Sequence, residues 1–138
     1  MKTNFINTII SIALLVLTFV LTSTSAYGQS NESKIRQTLT NYIQGTSYNR
    51  PKQIEKAFHQ ETSLLLEKKN NPLWRVPVKQ YISWFENGKV GEFTGRIGEI
   101  MNIDVAGSVA TAKVEIIFPA KKLRYTDLFL LKKLNGNW

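Results

Sequence analysis

The chain has 138 residues, 43% of them hydrophobic and 11% aromatic, with 18 Lys+Arg against 10 Asp+Glu and a formal net charge of +8. That is one domain's length with enough apolar material for a core, which excludes wholesale disorder. With no Cys and one His, the chain carries no disulfide scaffold, thiolate nucleophile, Cys-bound zinc, iron–sulfur cluster or multi-histidine metal site of its own.

The first element is an address. Lys2 is the only charge before Glu32, and Ile9–Leu21 is a run of 13 residues in which only Ser11 and Thr18 are not apolar. Small residues follow through Gly28. A short positive start, an apolar stretch and a small-residue end predict a secretory signal peptide over residues 1–28. Ala26 and Gly28 are spaced as a cleavage site, which makes Gln29 the mature N-terminus; Thr24 and Ala26 offer a second choice. An uncleaved anchor is the alternative, because Phe5–Leu21 is long enough for a marginal span. Either way the expected localisation is export, with membrane contact only if the segment is retained. The basic charges of the remainder are spread and show no aromatic-interleaved strip, so a solvated surface is expected and no nucleic-acid partner.

The mature part, residues 29–138, reads as one unit. Ile35, Leu39, Tyr42 and Ile43 make one helical stripe, with Ser30 or Asn31 as cap and Gly45 as stop. A second short helix starts at Pro51 and buries Ile54, Ala57 and Phe58. Ser63–Glu67 is a brief strand, Asn70-Asn71-Pro72 a turn and Leu73–Val76 the answering strand. A third helix runs from Pro77 to Gly88, with Val78, Tyr81, Ile82 and Phe85 on one face.

From residue 99 the period switches to two. Glu99–Val105 places Met101, Ile103 and Val105 on one face. After a turn at Ala106-Gly107-Ser108, Val109–Phe118 turns Ala110, Ala112, Val114, Ile116 and Phe118 inward. Leu123–Leu134 is apolar on both faces, which predicts a strand covered on both sides. Asn135-Gly136 is a hairpin turn. Helices followed by an antiparallel meander give an α+β class.

Tyr42-Ile43-Gln44-Gly45 ending the first helix, Ala57-Phe58-His59 ending the second, and Tyr125–Lys133 followed by Asn135-Gly136-Asn137-Trp138 resemble the nuclear transport factor 2-like superfamily, in its lumazine-binding branch. The resemblance spans essentially Glu32–Trp138. It implies a cone: a curved antiparallel sheet wrapped on three N-terminal helices around one pocket, often paired into homodimers through the outer sheet face. It also implies a final strand beginning at Trp138, between the first hairpin and the meander. The expectation is that this chain stops short of that strand and is C-terminally incomplete.

Candidate chemistry is sparse. His59 is the chain's one histidine, and the resemblance sets it near the pocket mouth as a candidate base; a surface histidine closing a helix is the plainer reading. Asp127 sits in an apolar strand on the face of Tyr125 and Phe129. A carboxylate there needs a cationic or backbone partner, or a wet cavity in which burial raises its pKa. Tyr42 and Trp84 suit an aromatic ligand; Tyr81 and Phe85 fit the core by periodicity. Two functions follow. One is an exported module binding a small apolar or aromatic ligand through Tyr42, Trp84, Tyr125, Asp127 and Phe129, with no cofactor or metal. The other is an isomerase, cyclase or dehydratase without cofactor, in which His59, Asp127 and tyrosines move protons. It requires His59 and Asp127 to meet within one cavity. Leu128, Leu130 and Leu134 on the outer face predict a homodimer.

Overall fold

The stripe of Ile35, Leu39, Tyr42 and Ile43 is the buried face of a helix, α1, which covers residues 31–47 of the computed structural model; residues 31–68 and 70–138 are described. The expected signal segment, its cleavage site and the Ser30 cap lie outside those residues. No helix among the described residues is long and apolar enough to cross a membrane. Gly45 does not stop α1. A Cβ at Gly45 would lie 2.6 Å from Ile54 Cγ1 and 2.8 Å from Ile54 N, so the glycine lets the next helix cross at close range. The left-handed residue beyond the helix is Asn49, at φ 47°.

The second helix, α2, spans Pro51–Glu55 and buries Ile54. Ala57 and Phe58 lie in the turn after it, half-buried against the core. Strands β1 (Ser63–Lys68) and β2 (Asn71–Pro77) form an antiparallel hairpin. The expected turn residues Asn71 and Pro72 are already strand. The third helix, α3, covers only Val78–Ser83. Phe85 reaches the core from the turns that follow, so the stripe outlasts the helix.

Strands β3 (Ile97–Ala106), β4 (Val109–Phe118) and β5 (Leu123–Lys132) make a three-stranded antiparallel meander in that order. Ala110, Ala112, Val114 and Ile116 are buried, as the alternation of β4 requires. The alternation expected for β3 fails at Met101, which is exposed. A bulge between Ile100 and Asn102 inserts one residue against β4, so the inward set becomes Ile100, Ile103 and Val105. Along β5, Asp127, Phe129 and Leu131 face inward, whereas Leu128 and Leu130 are 78% and 91% exposed. The far face expected to be covered is therefore bare among the described residues.

Lys34–Trp138 form one compact unit. Its core joins α1, Ile54, Val76 and Tyr81 to the inner face of β4, giving the α+β arrangement of helices on antiparallel sheets. Among the described residues β1 pairs with β2 alone and β5 with β4 alone, so the two sheets share no rung.

Candidate functional site

Asp127 is delivered to the interior by the period of β5. It stands opposite Val114, between the cross-strand pairs Ile116–Tyr125 and Ala112–Phe129. Its partner is Arg96, the residue immediately before β3. Gly95 adopts φ 83° there, and the turn sends the Arg96 side chain under the sheet, where it is 4% exposed. Arg96 Nη2 lies 3.1 Å from Asp127 Oδ2, and the Asp127 side chain is 24% exposed.

Tyr42 from α1 completes the group. Its hydroxyl donates to Asp127 Oδ2 at 2.6 Å and accepts from Arg96 Nη2 at 2.6 Å. Tyr81 O–H donates to the Tyr42 hydroxyl oxygen at 3.5 Å. One donor and two acceptor positions use up the hydroxyl's capacity. Arg96 Nη1 donates to Thr46 Oγ1, which is itself anchored on the α1 carbonyls of Tyr42 and Ile43. The guanidinium also sits 4.7 Å from the Tyr42 ring centroid, a cation–π contact. Among the described residues Asp127 Oδ1 makes no hydrogen bond.

Burial dominates the electrostatics. It pushes Asp127 above the ordinary carboxylate range, and the Tyr42 hydrogen bond and Arg96 charge offset this only in part. Burial likewise raises Tyr42 well above its usual value and Tyr81 to about 12. For Arg96, burial works against the charge, but Tyr42, Tyr81 and Tyr125 outweigh it and leave the pKa raised. The guanidinium is thus permanently charged, and with the Asp127 carboxylate ionised the pair is neutral overall.

Above this group lies a cavity of about 790 Å³, bounded by α1, the turn after α2, β1 and β5. Tyr42, Phe58 and Phe129 supply an aromatic wall, with Phe129 edge-on to Tyr42 at 5.0 Å and Phe58 edge-on to it at 5.7 Å. Asp127 is the carboxylate on this wall, and His59 stands at the exposed rim.

Of the residues picked out by sequence, Tyr42, Asp127, Phe129 and His59 line this cavity. Trp84 does not: its ring packs against Trp74 at 5.6 Å and Tyr81 at 5.4 Å, outside it. Tyr125 does not either: its ring stacks on Phe118 at 6.3 Å near the start of β5, and its side chain interacts with Arg96 of the buried group. No hydrogen bond joins His59 to Asp127; His59 Nδ1 accepts the Glu61 N–H at 3.4 Å. Among the described residues no cluster of His, Asp and Glu is arranged to hold a metal. Sequence reasoning missed Arg96 and Thr46. The signal for Arg96 was indirect: an inward Asp requires a cation, and 18 Lys+Arg left too many to choose from.

Comparison with known proteins agrees with this fold. No curated protein matches the chain. A nuclear transport factor 2-like protein of unknown function from Shewanella baltica OS155 superposes with a TM-score of 0.69 at 22% identity, over 79% of this chain and 86% of that one. One from Silicibacter pomeroyi DSS-3 gives 0.68 at 17% identity, over 80% and 90%. One from Methylobacillus flagellatus KT gives 0.67 at 27% identity, over 79% and 85%. Residues 30–138 match the model of the family described as "Putative lumazine-binding", and with the meander, the short helices and the aromatic wall in place, the chain belongs to that family within the nuclear transport factor 2-like superfamily.

Proposed function

We propose that this chain is an exported small-molecule-binding module whose ligand is largely apolar or aromatic and donates one N–H or O–H to Asp127. The observation that carries this is Asp127 Oδ1: it lines the cavity, makes no hydrogen bond among the described residues, and belongs to a carboxylate whose other oxygen is saturated. Because Arg96 already neutralises the carboxylate, the wall favours a neutral donor over a free cation. Rings at Tyr42, Phe58 and Phe129 suit a flat heterocycle, and a lumazine-type bicycle, with ring N–H groups, is the natural first probe. Export is inferred from the apolar segment Ile9–Leu21 and the small residues that follow it.

Binding is favoured over proton-transfer catalysis by the placement of His59. It stands at the rim, bonded to the Glu61 backbone, while Asp127 is engaged by Tyr42 and Arg96. The test is titration of lumazine, followed by its fluorescence, against the native chain and Asp127→Asn. Saturable binding weakened at least about tenfold in the variant, or roughly 1.4 kcal/mol, is expected. Equal affinity for lumazine and for naphthalene, which has no donor, would overturn the reading, as would no saturable binding of either.

A further inference from the structure

Arg96 also lines a second space. It is a hollow of about 100 Å³ bounded by the last turn of α1, the loop at Phe93 and the start of β3. No residue of β1 or β5 is among its described walls, so it is separate from the aromatic cavity. Backbone bonds hold it in shape. Thr94 N–H donates to Ser47 O at 2.9 Å and Gly91 N–H to Tyr48 O at 2.7 Å, which fastens the loop to the end of α1. Phe93 is thereby set against Tyr48, with ring centroids 5.6 Å apart. The start of β3 lies close to the helix: a Cβ at Gly98 would sit 2.9 Å from the Ile43 side chain.

The chemistry of the hollow is that of an anion receptor. Ser47 forms part of its wall at 3% exposure, and Ser47 Oγ makes no hydrogen bond. A buried hydroxyl without a partner is costly, and an occupant of the hollow is the group placed to bond it. Gln44 stands beside it, half-buried, with its side-chain amide making no hydrogen bond among the described residues. Arg96 supplies a cation, and Arg50 adds a second over the Tyr48 ring at 5.2 Å. No acidic residue is among the described walls; Glu92 and Glu99, next in sequence to Phe93 and Gly98, are exposed. Phe93 and Ile97, 51% and 46% exposed, give the opening an apolar margin. A cavity that holds a benzene ring is about 150 Å³, so this smaller space takes only a few heavy atoms.

We propose that this hollow is a second ligand site, selective for a small carboxylate on a short alkyl chain. Ser47 and Gln44 donate to the carboxylate oxygens, Arg96 supplies the charge, and the alkyl end lies against Phe93 and Ile97. Arg96 then serves two carboxylates, Asp127 within the protein and one from solution. The inference stands on the hollow's own residues and does not require the small-molecule reading of the aromatic cavity.

The test titrates sodium propionate into the full chain at constant ionic strength and follows backbone amide shifts by nuclear magnetic resonance. Saturable shifts at Gln44, Ser47, Phe93 and Gly98 are expected. Propionamide, which keeps the shape and lacks the charge, should bind at least about tenfold more weakly, as should propionate to Ser47→Ala. The variant also separates binding from folding. It removes a buried hydroxyl that bonds nothing in the free chain, so its thermal midpoint should be unchanged or higher. A lower midpoint would mean that the hydroxyl already has a partner within the fold, and would overturn the site. So would equal binding of propionamide or undiminished binding to Ser47→Ala. Shifts that scatter over surface lysines without saturating would leave the hollow to water alone and overturn it too. None of these outcomes bears on the lumazine titration, which reports on the other cavity.

Discussion

Arg96 and Asp127 are held by different parts of the chain, a glycine turn and the alternation of β5, and each makes the other's burial tolerable. Removing one partner of such a pair costs more than the pair contributes, because it leaves an uncompensated charge. Arg96→Met is therefore expected to lower unfolding stability by about 3 kcal/mol near neutral pH, at the lower end of the buried-pair range since Asp127 keeps some solvent contact. Arg96→Met with Asp127→Leu should recover part of that loss, and a denaturation double-mutant cycle measures it. The loss should shrink at acid pH. Burial raises Asp127 in the folded state, so its contribution is fully present below the ordinary value of 3.8 and lost as pH rises through the raised one. The tyrosines act at the other end of the scale. Tyr81 is raised from 10.0 to about 12, so its contribution holds below pH 10.0 and disappears as pH climbs toward 12. Phenolate absorbance should show Tyr42 and Tyr81 still protonated at pH 10.0, the ordinary tyrosine value. Tyr81→Phe should flatten the alkaline loss of stability and cost only about 0.5 kcal/mol at neutral pH, since its bond to Tyr42 is long. A steep neutral-pH loss would contradict this account.

Gly45 shows how an element's propensity and its packing pull in opposite directions. Inside α1, alanine would gain about 1 kcal/mol of helix propensity over glycine. Its Cβ would, however, meet the backbone and side chain of Ile54 at 2.8 and 2.6 Å, and the backbone of α2 cannot rotate aside. Overlap of this kind costs about 1–3 kcal/mol beyond any gain in propensity, so Gly45→Ala is expected to lower the thermal midpoint and loosen α2. An unchanged or raised midpoint would mean that the two helices can separate without loss. The same contest decided what the sequence revealed. Period two in β4 and β5 was legible because each inward residue meets a continuous apolar layer, and it placed Asp127 and Phe129 on the inner side. Met101 was misplaced because a bulge depends on the pairing partner and leaves no mark in its own strand. Gly45 read as a stop because glycine ends helices more often than it admits a crossing one. Arg96 was invisible because it belongs to no periodic run: a basic residue beside a glycine reads as surface until the chain is folded around it. Trp84 and Tyr125 share an aromatic character with the cavity residues but pack on other rings, Trp74 and Phe118, and Tyr125 meets the buried group only through Arg96.

At the scale of the whole unit, stability is distributed unevenly between the two sheets. The meander β3-β4-β5 has α1 against its inner face, with Val114 and Ile116 fully buried and both neighbours of β4 in place. The hairpin β1–β2 contributes Val76 to the core, but among the described residues it has no strand neighbour, and β1 is buried at no position along its length. Amide exchange in the native state follows such differences, because few apolar contacts and exposed backbone bonds mean a low free energy of local opening. The backbone amides of β4 are therefore expected to exchange last and only through global unfolding, while those of β1 exchange through a smaller opening that leaves β4 closed. A separation of at least about 1.4 kcal/mol, tenfold in rate, should appear between the two sets in hydrogen exchange followed by nuclear magnetic resonance. The separation should also respond to denaturant, with β1 amides nearly insensitive and β4 amides steeply dependent, because only global unfolding exposes much new surface. Equal rates and equal denaturant slopes would show that the two sheets open as one unit despite sharing no rung, coupled through the core they share.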